Sequence, residues 1–239
     1  MEIIRNGLDL VLKVGEKTIL ECSNSFPMIY VGYGKETVDM YRGNFKIEDY
    51  VVERYPLAVT AINETAEGLA VEFGAAMSML VKIEGECATL YFTQKDEKIN
   101  RFWFRVKADA TEHCYGCGEQ MSYLDLRGRH FPIWTGEPGV GRDKTTYVTW
   151  RSDVENGGAG GDYWNTNYPQ PTFVSSNHYY VDVDSTAYAD FDFRNADFHE
   201  LQTWAVPAYI RIEAAPTFVE LLEKLTAYFG RQPELPEWV

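Results

Sequence analysis

No run of about 18 apolar residues occurs in this 239-residue sequence, so it encodes no membrane-spanning helix. The opening stretch, MEIIRNGLDLVLKVGEK, lacks the basic head and apolar core of a signal peptide, and a cytoplasmic location is the expectation. Basic residues are also scarce. Lys and Arg total 22 against 36 Asp and Glu, for a formal net charge of −14. That balance repels phosphate backbones and anionic lipid, so neither nucleic acid nor a membrane surface is an expected partner. There are only four cysteines, and in a reducing compartment they read as small apolar fillers rather than as a disulfide framework.

What the chain has in quantity is aromatic and strand-forming sequence: it is 45% hydrophobic and 15% aromatic, with 16 Tyr and 13 Phe. From residue 2 to about 106 it runs through short segments of period-two alternation or β-branched and aromatic composition. These are LDLVLKV, TILEC, MIYVGY, TVDMYR, KIEDYVVERY, LAVTAIN, LAVEF, MSMLVKIEG, ATLYFTQ and RFWFRVK, separated by Gly, Asn, Asp or Lys clusters. Similar segments resume at HYYVDVDST, YADFDFR, ELQTWAV and AYIRIEA. Regular strands without helical sequence between them predict a mainly β protein, an antiparallel sandwich or barrel. One convincing helix follows, PTFVELLEKLTAYFG. Thr217 and Glu220 form a capping box, Phe218, Leu221, Leu222, Leu225 and Phe229 make one apolar stripe, and Gly230 is the stop.

Between about 115 and 176 the character changes, with FPIWTGEPGVGRDKTTYVTW followed by NGGAGGDYWNTNYPQPTF. Long Gly-, Pro- and aromatic-rich loops inside a compact domain usually carry function. Tyr163, Trp164 and Tyr168 are costly to leave exposed without a partner.

Two motifs in this region imitate known chemistry. Cys114 and Cys117 are spaced as in redox and metal motifs, but structural zinc takes four ligands, and His113 adjoins Cys114 directly, a poor geometry for chelating one ion. A thioredoxin-type pair should open a helix after a parallel strand, and haem attachment needs a histidine where Gly118 stands. GEPGVGRDKT resembles a phosphate-binding loop, but Arg142 occupies the place of its lysine, and TTYVTW, β-branched, reads as strand rather than helix. Finally, a retaining glycosidase needs two carboxylates about 5 Å apart, and nothing in the sequence positions such a pair.

Taken together, YGCGEQ, DLRG, FPIWT, GVGRDKTTYVTW, GGDYW, PQPTFVSS and LLEKLTAYFGRQPELPEW resemble the N-terminal portion of family 31 glycoside hydrolases, in particular its bacterial sulfoquinovosidase branch. The resemblance implies a galactose-mutarotase-like β-sandwich over residues 1–216, a C-terminal helix over 217–230 and a connector over 231–239 leading to a (β/α)8 catalytic barrel. It places the aspartate nucleophile and acid/base in that barrel, so no catalytic residue is expected here. This chain alone is then inactive, while the intact protein is an α-glycosidase. The resemblance also implies that the sandwich lends a loop to the sugar pocket or packs on the barrel. The candidate residues for this are Trp134, Arg142, Tyr163, Trp164 and Tyr168, and carbohydrate and the barrel are the expected partners, with no cofactor or metal. Two other functions fit a sandwich of this composition, a free-standing carbohydrate-binding module and a mutarotase-like epimerase.

Overall fold

A computed structural model describes residues 1–23, 25–41 and 44–234. The expected connector therefore lies outside the described residues from Leu235 onward. The chain opens with β1 (Glu2–Asn6), β2 (Asp9–Val14) and β3 (Lys17–Cys22), which form a small antiparallel sheet. Then follow β4 (Ile29–Tyr41), β5 (Asn44–Pro56), β6 (Ala61–Thr65), β7 (Gly68–Phe73), β8 (Met77–Glu84), β9 (Cys87–Gln94), β10 (Arg101–Lys107), β11 (Cys114–Gly118) and β12 (His130–Ile133). A helix, α1 (Tyr147–Glu155), interrupts the strands before β13 (Pro169–Ser175), β14 (Tyr179–Val183), β15 (Ala189–Asp192), β16 (Phe198–Thr203) and β17 (Tyr209–Ala214), and α2 (Phe218–Phe229) comes last.

The longer strands make two antiparallel sheets. One is six-stranded in the order β12-β15-β16-β10-β4-β5, and the other eight-stranded in the order β11-β13-β14-β17-β9-β8-β7-β6. The period-two pattern in the sequence is the cause. On β8, Met77, Met79 and Val81 are buried and alternate with more exposed residues, and β16 and β17 alternate in the same way. One apolar core takes Val31, Phe102, Phe104 and Leu201 from the first sheet and Val71, Met79, Leu90, Val181 and Ile212 from the second. This is the expected sandwich. Among the described residues no helix is long and apolar enough to cross a membrane.

β14 is buried along its whole length because its second face is covered as well. Leu221 of α2 packs there with Val174, Tyr180 and Ala215, and Phe218 and Leu225 flank it. Burying a leucine this way contributes roughly 1.5–3 kcal/mol. The helix starts as expected, with the Thr217 hydroxyl accepting from the Glu220 N–H at 3.2 Å. The Tyr228 hydroxyl ties its far end to the sheet by donating to Asp182 Oδ2 at 3.1 Å. Of the apolar stripe, Leu222 and Phe229 remain exposed.

Two expectations need correction. MIYVGY and TVDMYR are not separate strands: Ile29–Tyr41 is one continuous β4, paired with β5 around a bulge between Tyr33 and Gly34, while Arg42 lies outside the described residues. And within TTYVTW the last four residues, from Tyr147, open a helix. A turn precedes α1 in which Asp143 Oδ1 accepts from the Thr145 N–H and hydroxyl at 2.8 and 2.6 Å, while its carbonyl accepts from the Thr146 N–H. Asp153, in the second turn, accepts from Lys144 Nζ and, at 2.8 Å, from the Gly160 N–H. β-Branched residues lose only a few tenths of a kcal/mol each in a helix, which a clamp of this kind outweighs.

Candidate functional site

The segment after β12 leaves the six-stranded sheet through Trp134. Its ring meets Phe45 of β5 edge-on at 5.4 Å and Tyr188 at 5.8 Å, and Tyr188 in turn lies 4.4 Å from Trp204. Phe45, Trp134 and Tyr188 line a cavity of about 570 Å³, with Trp204 packed behind Tyr188. The glycine-rich segment through Gly157, Gly158 and Gly160 supplies the opposite side, with Trp164, Asn165 and Lys144. Gly136 allows the two sides to meet. Its N–H donates to the Thr166 carbonyl at 3.0 Å, and a Cβ on it would stand 2.7 Å from the amide nitrogen of Asn165. The cavity therefore combines a broad apolar aromatic surface with a few polar groups, the composition expected of a carbohydrate or small-molecule site.

The five candidates do not converge. Trp134 and Trp164 both line the cavity. Among the described residues the Trp134 indole Nε1 is buried without a hydrogen-bond partner. Tyr163 points elsewhere. Its hydroxyl donates to the His130 carbonyl at 2.7 Å, and its ring packs edge-on against Phe131 at 5.5 Å and Tyr123 at 5.8 Å. It roots the loop in the sandwich, and burial raises its hydroxyl pKa. Tyr168, 75% exposed, belongs to a second groove of about 460 Å³ beside Leu225 and Phe229 of α2. Arg142 is half-buried; Nη2 reaches Met121 Sδ at 3.3 Å, while Nη1 is buried without a partner among the described residues.

Lys144, the residue nearest to a phosphate-loop lysine, is committed to Asp153 and to the Gly160 carbonyl, at 2.6 Å from the latter. It closes the glycine loop onto α1 and is not offered to a ligand. At the cysteine motif, Gly116 and Gly118 have positive φ, and Cys114 and Cys117 are buried free thiols. His113 turns outward to Asp125 at 2.7 Å.

A different histidine joins Cys114. Glu112, Cys114 and His199 gather in the core with their ligand-capable atoms within 4.8 Å of one another. His199 Nε2 is 2.8 Å from Glu112 Oε2 and 3.5 Å from Cys114 Sγ. The other Glu112 oxygen accepts from the Tyr179 hydroxyl at 2.7 Å and from the Ser175 hydroxyl. Burial, aided by the Glu112 charge, pushes the Cys114 thiol far up, which keeps it protonated. Three groups already bonded to one another, one of them a protonated thiol, make a satisfied polar core and a poor metal ligand set. No spacing rule could have found it, because 87 residues separate Glu112 from His199. Arg101 was equally hidden. It is 2% exposed, stacks over Trp204 at 4.5 Å, and donates to Asp49 through Nε and Nη2 and to Glu36 through Nη2.

A family profile described as the glycosyl hydrolase 31 N-terminal galactose mutarotase-like domain matches residues 9–192. The chain is 51% identical over its full length to a sulfoquinovosidase of Agrobacterium fabrum, and 44% identical over 98% of its length to one of Escherichia coli. It spans about a third of each of those relatives, 35% in both cases. Among solved structures, a GH31 family sulfoquinovosidase from E. rectale, in complex with the aza-sugar inhibitor IFGSQ, superposes with a TM-score of 0.97 at 66% identity, covering all of this chain and 36% of that one. On the extent of the profile and these identities, the chain belongs to the N-terminal galactose mutarotase-like domain family of the family 31 glycoside hydrolases.

Proposed function

We propose that this chain is the non-catalytic N-terminal sandwich of an α-glycosidase of sulfoquinovosidase type, forming one wall of the sugar pocket while the catalytic barrel of the same polypeptide supplies the reacting groups. The observation that carries this reading is that Trp134 and Trp164 line one cavity together with Phe45 and Tyr188. An aromatic wall of this kind stacks on the apolar face of a sugar ring. Arg142, Tyr163 and Tyr168 support the surrounding segments instead of touching the sugar. The intact polypeptide hydrolyses an α-glycoside, sulfoquinovoside being the substrate class indicated by the relatives' names. A cytoplasmic setting agrees with four buried free thiols.

The test is kinetic. In the intact polypeptide, Trp134→Ala and Trp164→Ala should each lower kcat/KM for an aryl α-sulfoquinovoside by about 10-fold or more, the loss of roughly 1.4 kcal/mol or more of transition-state contact. Unchanged kcat/KM in both variants removes the pocket assignment, and hydrolysis by this chain alone removes the non-catalytic one.

A further inference from the structure

Asn165 sits in the wall of the aromatic cavity with its side chain fixed at one end and open at the other. It is 8% exposed and lines the cavity beside Trp164. Its Oδ1 accepts from the Asp162 N–H at 2.5 Å, and its own backbone N–H donates to the Asp162 carbonyl at 3.2 Å. These two bonds close a turn over 162–165 and fix the sense of the side-chain amide, since a flipped amide would set two N–H donors against each other. Nδ2 therefore points away from Asp162. There it has no hydrogen-bond partner among the described residues, yet it is not sealed from solvent as the Trp134 indole nitrogen is.

Gly136 confines the amide from the other side. A Cβ there would lie 2.7 Å from Nδ2 and 3.8 Å from both Asn165 Cγ and the Trp164 ring. Its φ is not positive, so space and not backbone conformation requires glycine at this position. The charged groups around the cavity are otherwise engaged or outlying. Lys144 is committed to Asp153 and the Gly160 carbonyl. Lys46, 75% exposed on the β4–β5 hairpin, pairs with Glu48 at 2.8 Å, and Asp39 is exposed on the same hairpin. Asn165 thus offers a donor from within the wall itself. A buried amide left half-paired in apolar surroundings is costly, and an acceptor brought by a ligand relieves that cost.

We infer that Asn165 is a specificity-determining residue of this cavity: its Nδ2 donates to one hydroxyl oxygen of a sugar whose ring lies against the aromatic wall. The inference rests on the reading above of the cavity as a sugar site, and it adds the sense of the bond, from protein donor to ligand oxygen. Stacking on Trp134 and Trp164 reads the apolar face of a ring and tolerates many saccharides. A fixed hydrogen bond does not. A sugar lacking that oxygen leaves the amide unpaired, which discriminates far more strongly than a change of shape against an apolar wall. The turn and Gly136 set the amide in advance, so binding does not have to order it.

Kinetics on the intact polypeptide, with an aryl α-sulfoquinovoside and its monodeoxy analogues, test it. One of the analogues should be about 10-fold poorer than the parent with wild type and within about two-fold of it with Asn165→Ala, a coupling that a merely structural residue does not produce. Asn165→Asp keeps the oxygen that Asp162 needs and replaces the donor with a charged acceptor. Its kcat/KM should fall by about 30-fold or more near about pH 8, and should recover by about five-fold or more relative to wild type toward about pH 5, where a protonated carboxyl donates again. Gly136→Ala, which displaces the amide without removing it, should weaken the same discrimination. Equal deoxygenation losses in wild type and Asn165→Ala overturn the inference. So does an Asn165→Asp variant within about two-fold of wild type, or full discrimination retained by Gly136→Ala. Trp134→Ala and Trp164→Ala are scored on the same substrate. Losses there with none at Asn165 sink the donor and leave the sugar wall standing, whereas no loss at either tryptophan removes the wall itself.

Discussion

His199 Nε2 lies 2.8 Å from Glu112 Oε2 in the interior of the sandwich, with both side chains sealed from solvent. The pair bridges β16 and the turn entering β11, and Tyr179 and Ser175 complete the carboxylate's hydrogen bonds from β14 and β13. Burial by itself would push the Glu112 carboxyl up, but the bonds from His199, Ser175 and Tyr179 outweigh it and hold the group below its ordinary value of 4.5. Such a contribution to stability is present above the unfolded-state pKa and is lost as pH falls through the folded one. Glu112→Ala strands a buried imidazole and two hydroxyls. It should cost about 3–5 kcal/mol, or on the order of 10 °C in Tm, read by circular dichroism at neutral pH. Glu112→Gln, which keeps two of the bonds, should cost less. A loss under about 1 kcal/mol for the alanine variant sinks this account.

The strands were legible because each is a local statement: Met77, Met79 and Val81 announce the buried face of β8 without reference to any neighbour. The same holds for α2, where cap, stripe and stop are adjacent in sequence. Helix α1 was illegible because its determinant is tertiary. Asp153 has to find Lys144 and Gly160 before a β-branched run becomes helical. The site divides in the same way. Trp134 and Trp164 could be proposed from their setting in aromatic loops, and the structure places them in one cavity. Which of their neighbours face elsewhere, Tyr163 inward and Tyr168 toward α2, depends on loop geometry that composition does not encode. Glu112–His199 and Arg101–Asp49 depend on sheet order, which brings together residues 87 and 52 positions apart.

Arg101 tests that last dependence. It is the buried link between β10 and the long β4–β5 hairpin, and its partner Asp49 also accepts from Gln202 and the Trp204 indole, at 2.9 and 3.1 Å. Arg101→Lys keeps the charge but loses the fork that meets Asp49 and Glu36 together, and it should cost about 1–3 kcal/mol. The loss should appear first as faster amide exchange in the hairpin, whose register depends on this contact. Wild-type exchange there with an unchanged Tm would contradict the assignment.

His130 gives a pH signature near the cavity. Its Nε2 is 2.9 Å from Asp190 Oδ2, and this hydrogen bond, opposed by burial, raises the imidazole pKa above 6.5. A raised histidine contributes stability fully below its unfolded pKa and loses it as pH climbs through the folded value. The stability gap between wild type and His130→Gln, from urea unfolding, should therefore be largest near about pH 6 and shrink toward about pH 9. A gap that widens over that range would show that the pair is not what holds β12 against β15.

Gly118 and Gly128 separate two costs that usually arrive together. Both have positive φ, +86° and +76°, so an alanine at either pays the left-handed backbone penalty of roughly 1 kcal/mol. Around Gly128 nothing among the described residues lies within 4 Å of the added methyl. At Gly118 the methyl would fall 1.8 Å from the Tyr168 carbonyl oxygen and 2.8 Å from the Gln170 nitrogen, where β11 runs against β13. Relief requires the strands to part, at a further cost of about 1–3 kcal/mol. Gly118→Ala should thus lower Tm by clearly more than Gly128→Ala, and it should also shift the Tyr168 end of the loop. Equal losses would mean that backbone conformation alone, and not the close approach of the two strands, requires glycine in this turn.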